Sequence, residues 1–140
     1  MNTGGSGTRK LSEIRRVLIV DDSRDSAELL SLLLRREGHE TRVAHDGEEA
    51  IRVALAFCPS IAFLDIGLPG MNGYELLGIL RGCPELTGCK FVAVTGYEEL
   101  SPDAGAPAFD AHLLKPIDLN AVVSLVVDIA DAALSKPVSA

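Results

Sequence analysis

Tryptophan is absent, and only two Tyr and four Phe occur in 140 residues. A core of stacked aromatic plates is therefore excluded, and the interior has to be assembled from Val, Leu, Ile and Ala. No apolar run approaches the roughly 20 residues that span a bilayer. The first ten residues are rich in Gly, Ser and Thr and lack the apolar segment of a secretory leader. Together these absences set the expectation of a cytoplasmic chain with no membrane partner. Basic residues are also short, 13 against 20 acidic for a net charge of −7. Direct nucleic-acid binding is excluded on that ground, because it needs a basic face to displace counterions. Cysteine is limited to Cys58, Cys83 and Cys89. Cys83 and Cys89 are separated by Pro84, Gly88 and three other residues, which fits neither a zinc site nor a redox pair. Free thiols in a reducing compartment are the better reading.

What is present is an ordinary globular composition, 47% hydrophobic and 24% charged, in a length that suits one domain. Residues 1–14 read as a disordered lead-in, 15–134 as the domain and 135–140 as a tail. Five short apolar runs recur: Val17-Leu18-Ile19-Val20, Thr41-Arg42-Val43-Ala44, Ile61-Ala62-Phe63-Leu64, Phe91-Val92-Ala93-Val94 and Ala111-His112-Leu113-Leu114. Nearly continuous runs of this kind suit strands covered on both faces of a parallel sheet. The second, with exposed-looking Thr41 and Arg42, suits an edge. Helical stripes lie between them. Residues 26–37 carry Ala27, Leu30, Leu33 and Leu34 and end at Gly38. Residues 47–57 carry Ala50, Ile51, Ala54 and Leu55 and are stopped by Pro59. Residues 72–81 open on an Asn cap, carry Leu76, Leu77 and Leu80 and end at Gly82. Asp118 caps a last helix with Val122, Leu125, Val126 and Ile129 on one face. The fourth interval, residues 98–110, holds Pro102, Gly105 and Pro107, so its helix is expected to be short or irregular. Alternation of this kind implies right-handed crossovers and a doubly wound α/β sheet.

Ligand sites in such sheets lie outside the carboxyl ends of the strands. There the first run ends in Asp21-Asp22, the third in Asp65, the fourth in Thr95-Gly96 and the fifth in Lys115-Pro116. With strand order 2-1-3-4-5 these four strands are contiguous, and three carboxylates, a hydroxyl and an ammonium share one rim. Close carboxylates repel unless a cation compensates them, and hard oxygen ligands select Mg²⁺ or a similar ion. A Lys and a Thr hydroxyl suit phosphoryl oxygens, and an Asp can be the nucleophile that forms an aspartyl-phosphate. His39 and His45 flank the edge strand and are expected to be exposed.

Four segments in this order resemble the receiver domains of bacterial response regulators and hybrid kinases: Val17-Leu18-Ile19-Val20-Asp21-Asp22, Phe63-Leu64-Asp65-Ile66-Gly67-Leu68-Pro69-Gly70-Met71-Asn72-Gly73, Val94-Thr95-Gly96 and Leu114-Lys115-Pro116. The resemblance implies a flavodoxin-like (βα)5 fold and a two-component phosphoacceptor role. It implies Asp65 as phosphoacceptor, and Mg²⁺ on Asp21, Asp22, Asp65 and the Gly67 backbone carbonyl. Lys115 would pair with Asp65 and then with a phosphoryl oxygen. Thr95 would act as a switch, and Pro116 would follow a cis peptide bond. The implied partners are a histidine kinase or histidine phosphotransfer protein upstream and an output protein downstream.

Three positions depart from the family pattern. The separation of 20 residues between Thr95 and Lys115 is short, in keeping with an irregular fourth helix. His112 occupies the position of the usual switch aromatic. Gly67 leaves one side of the acceptor open to water. Since only six residues follow the last helix, the chain is expected to act as a stand-alone receiver or as one excised from a hybrid kinase. An aspartate-nucleophile phosphatase is the alternative, but such enzymes carry a second Asp where Gly67 stands, and no cap domain is present. The chemistry expected is therefore self-catalysed phosphotransfer and autodephosphorylation, without enzymatic turnover.

Overall fold

The computed structural model describes residues 14–96 and 109–135. Five parallel strands, β1 (Arg16–Val20), β2 (Glu40–Ala44), β3 (Ile61–Asp65), β4 (Lys90–Thr95) and β5 (Ala111–Leu114), form one sheet in the order β2-β1-β3-β4-β5. Among the described residues the connecting helices are α1 (Arg24–Arg36), α2 (Gly47–Phe57), α3 (Gly73–Arg81) and α4 (Leu119–Ser135), with a 3-10 turn at Pro84–Leu86. The expected irregular fourth helix, the lead-in up to residue 13 and the tail from residue 136 lie outside the described residues.

Side chains of a strand alternate between faces, and two separate cores follow from that period. Leu18, Val20, Ala62, Leu64, Phe91 and Ala93 point to one side, where Ala50 and Ala54 of α2 and Leu76, Leu77 and Leu80 of α3 cover them. Val17, Ile19, Ile61, Phe63, Val92 and Val94 point to the other, under Ala27, Leu30 and Leu34 of α1 and Val122 and Val126 of α4. Burial on both faces explains why β1, β3 and β4 read as unbroken apolar runs. β5 departs from that reading: His112 and Leu114 are exposed, as befits an edge strand covered on one side.

Local signals set the helix ends. Asn72 caps α3 through a reciprocal box, its side chain accepting from the Glu75 N–H at 2.9 Å while Glu75 accepts from the Asn72 N–H at 3.0 Å. The cap of α1 is Ser23, whose hydroxyl accepts from the Ser26 N–H, so Asp22 is not used for capping. Beyond α1, Gly38 takes φ +98°, with Gly38 N–H donating to Arg35 C=O and His39 N–H to Leu34 C=O. That is the Schellman arrangement, and it turns the residue after the glycine back onto the helix.

This turn overturns the expectation for His39, which is buried, its Nδ1 accepting from the Arg15 N–H at 3.0 Å. His45 is half-buried rather than exposed. Thr41 is also buried on the edge strand, because α1 covers it and its hydroxyl meets that of Ser31 at 2.7 Å. The cysteines are unpaired: Cys58 is exposed, Cys83 half-buried and Cys89 buried, burial pushing its thiol up to about 12. Among the described residues no helix is long and apolar enough to cross a membrane.

Candidate functional site

Register brings the reactive residues together. Val20 lies opposite Leu64, so the residue following β1 stands beside the last residue of β3, which is Asp65. Asp65 in turn lies opposite Val94, and Thr95 opposite Leu114. Asp21, Asp65, Thr95 and Lys115 thus leave one rim from four adjacent strands.

The carboxylates of Asp21, Asp22 and Asp65 offer oxygens that all lie within 4.8 Å of one another. Asp65 is only 3% exposed and Asp21 6%, while Asp22 is open to solvent. One Asp65 oxygen, Oδ2, accepts from the Lys115 Nζ at 3.2 Å. The other, Oδ1, accepts from the Gly67 N–H at 3.0 Å. A buried carboxylate left without such partners would be costly, and these two contacts fix the orientation of Asp65. Lys115 keeps 41% of its side chain exposed, which leaves its ammonium room to move.

Asp21 accepts from the Ser23 N–H at 2.9 Å through Oδ1. Burial nevertheless raises its pKa, and the neighbouring Asp65 charge pushes the same way, against the Ser23 bond and the Lys115 charge. Such a site is short of positive charge. An oxygen-only donor set of two buried acids and one exposed acid fits a hard divalent cation such as Mg²⁺.

The β3–α3 loop that carries Gly67 is set by two other glycines. Gly70 takes φ +78°, in the region favouring glycine. At Gly73 an added Cβ would stand 2.7 Å from the Ile66 Cα and 2.9 Å from the Asp65 carbonyl oxygen, so α3 begins hard against the strand end. The Lys115-Pro116 bond is cis. Thr95 is buried, and its hydroxyl donates to the Gly96 C=O at 2.9 Å. His112 is exposed on β5, with its ring 5.9 Å from that of Phe109 in an edge-to-face contact; Phe109 meets Tyr74 of α3 in the same way at 5.6 Å.

Two contributors were not found in the sequence. The His45 ring lies 2.9 Å, through Nδ1, from the Asp21 backbone carbonyl, tying the acidic loop to the end of β2. The adjacency of β1 and β2 was the available signal, since it puts the residues after both strands side by side. The Tyr74–Phe109–His112 stack was missed because its members are far apart in the chain.

Residues 17–127 match the response regulator receiver domain. The DNA-binding response regulator MtrA of Mycobacterium tuberculosis is 33% identical over 117 residues, covering 80% of this chain and 49% of that protein. The chain therefore spans about half the length of the curated MtrA relatives it matches. Among solved structures, the CheY-like receiver domain protein of Methanospirillum hungatei superposes with a TM-score of 0.76 at 29% identity, covering 89% of this chain and 99% of that one. The CheY-like receiver domain of Methylobacillus flagellatus superposes with 0.75 at 31% identity, covering 83% and 98%.

Proposed function

This chain belongs to the response regulator receiver domain family, the phosphoacceptor module of two-component signalling, and from that premise we propose that Asp65 is the residue that takes the phosphoryl group. One observation carries the assignment. Of the two buried acids in the cluster, Asp65 is the one whose two oxygens are held separately, one by Lys115 and one by the Gly67 N–H.

An Asp65 oxygen attacks the phosphorus of a phosphohistidine donor. The O–P bond forms as the P–N bond breaks, and the electron pair stays on the imidazole nitrogen that leaves. Lys115 passes from the Asp65 carboxylate to a phosphoryl oxygen, following the negative charge. The Thr95 hydroxyl turns from the Gly96 carbonyl to donate to another phosphoryl oxygen, and His112 moves with it as the switch. Asp21, Asp22, Asp65 and the Gly67 carbonyl are the residues that would hold Mg²⁺. Bound there, the ion supplies charge neutralisation to the crowded carboxylates and the phosphoryl oxygens. Water later attacks the phosphorus, the Asp65 O–P bond breaks, and inorganic phosphate leaves with the Asp65 carboxylate restored, so each protein is labelled once and loses the label by hydrolysis.

The donor is a histidine kinase or a histidine phosphotransfer protein, and the phosphorylated surface is read by an output protein. A groove of about 220 Å³ beside Lys115 supports donor docking there, since Leu29, Pro116, Ile117 and Leu119 line it together with Asp21, and Leu29 is 54% exposed.

Incubation with acetyl phosphate and Mg²⁺, followed by intact mass, tests the reading. One phosphoryl group is gained by the wild type and none by Asp65→Ala. Labelling that persists in Asp65→Ala would overturn the assignment, and steady turnover of a phosphomonoester would favour the phosphatase alternative.

A further inference from the structure

A second charged constellation lies at the other end of the sheet. Arg16 opens β1, Arg42 lies within β2, and Arg52 projects from α2. With Val53, Ala56 and Phe57 they line a groove of about 310 Å³. Arg16 precedes Asp21 by the length of β1, so at about 3.3 Å per residue the groove is on the order of 15 Å from the acidic rim.

The guanidinium carbons of Arg16 and Arg42 each sit 4.6 Å from the centroid of the Phe57 ring, which is itself buried. One ring thus fixes two like charges that would otherwise separate, at a gain of only about 0.5–1 kcal/mol each at exposed sites. Among the described residues their one paired carboxylate is Glu40, 3.5 Å from the Arg16 Nε. Arg52 makes no ion pair among the described residues. Among the described residues, therefore, three guanidinium groups line the groove and one carboxylate pairs with them, in a chain whose net charge is −7.

We propose that this groove binds the phosphate groups of a small organic phosphate, of nucleoside diphosphate size. Guanidinium forks match phosphate oxygens two at a time, and stacking on Phe57 removes much of the rotamer freedom that binding would otherwise have to freeze. The volume is at the lower end of small-molecule sites, about 300 to 1,000 Å³. A protein interface needs about 800 Å² on each partner, far more than three arginines cover. The apolar strip of Val53 and Ala56 adjoins the charges and would receive the uncharged part of the ligand. No carboxylate cluster lines the groove, so its chemistry is distinct from that of the Asp65 site.

Calorimetric titration of the full chain with ADP tests this, with EDTA present so that no metal phosphate enters the acidic site. Saturable binding is expected, weakened about tenfold by Arg52→Gln, the loss of one charge-assisted contact. Raising the salt concentration should weaken it further. Arg52→Gln should still take one phosphoryl group from acetyl phosphate, which separates this site from Asp65. The proposal is overturned by the absence of saturable ADP binding, by equal affinity in Arg52→Gln, by loss of binding in Asp65→Asn instead, or by a Glu-rich peptide occupying the groove while ADP does not.

Discussion

Gly67 lies two residues beyond Asp65, the proposed acceptor, on the loop that leads to α3. Its N–H already holds the Asp65 Oδ1, and its φ is not among the positive values, so a larger residue fits the backbone there. Gly67 itself is exposed, whereas Asp65 is only 3% exposed, so a side chain at residue 67 would stand between the carboxylate and solvent. Gly67→Asn is expected to change the aspartyl-phosphate lifetime by several-fold, the scale of one hydrogen bond in a transition state. The decay of labelled protein after removal of acetyl phosphate measures it, and an unchanged lifetime would refute the shielding idea. Asp21 shows the same logic from the electrostatic side. Burial and the Asp65 charge raise its pKa despite the Ser23 N–H and the Lys115 charge, so the loop carries a repulsion that a bound cation would relieve further.

Among the elements, the turn after α1 does the most with the least sequence. Gly38 at φ +98° closes the Schellman bonds, brings His39 into the interior and starts β2 beside β1. Ala at this position has to adopt a left-handed backbone that its Cβ opposes. Gly38→Ala is therefore expected to destabilise the fold by about 1 kcal/mol, read as a lower urea midpoint at an unchanged slope. A midpoint equal to the wild type would show that the glycine is not needed for its backbone. His45 acts between elements, its ring joining the end of β2 to the Asp21 carbonyl and so bracing the acidic loop from behind.

At the scale of the whole molecule, folding forces three carboxylates to within 4.8 Å, whereas the unfolded chain lets them separate. A cation that binds the native state alone stabilises it by mass action, about 2.7 kcal/mol at 100 times its dissociation constant. Mg²⁺ is thus expected to raise the Tm by several degrees, and EDTA to reverse the gain. Asp21→Asn should melt higher than the wild type without metal, because one repulsion is gone, and should respond less to Mg²⁺. A wild-type Tm indifferent to Mg²⁺ would remove the acidic cluster as a cation site.

Much of this was legible in the chain alone. Nearly continuous apolar runs, an Asn cap ahead of α3 and acids at strand ends are local patterns, and local patterns survive translation into a string of letters. They pointed to a parallel sheet with reactive residues at its strand ends, while its order, and with it the rim on which Asp21, Asp65, Thr95 and Lys115 meet, came from the resemblance to receiver domains and from the fold itself. What the string could not carry is contact between residues far apart in sequence. His39 and Thr41 are polar and lie just before and within an edge strand, yet α1 and the Gly38 turn bury them. His45 against Asp21, the Tyr74–Phe109–His112 stack, and two arginines on one Phe57 ring each join separate elements. Only packing decides such neighbours, because each side chain is compatible with solvent until the fold places something against it.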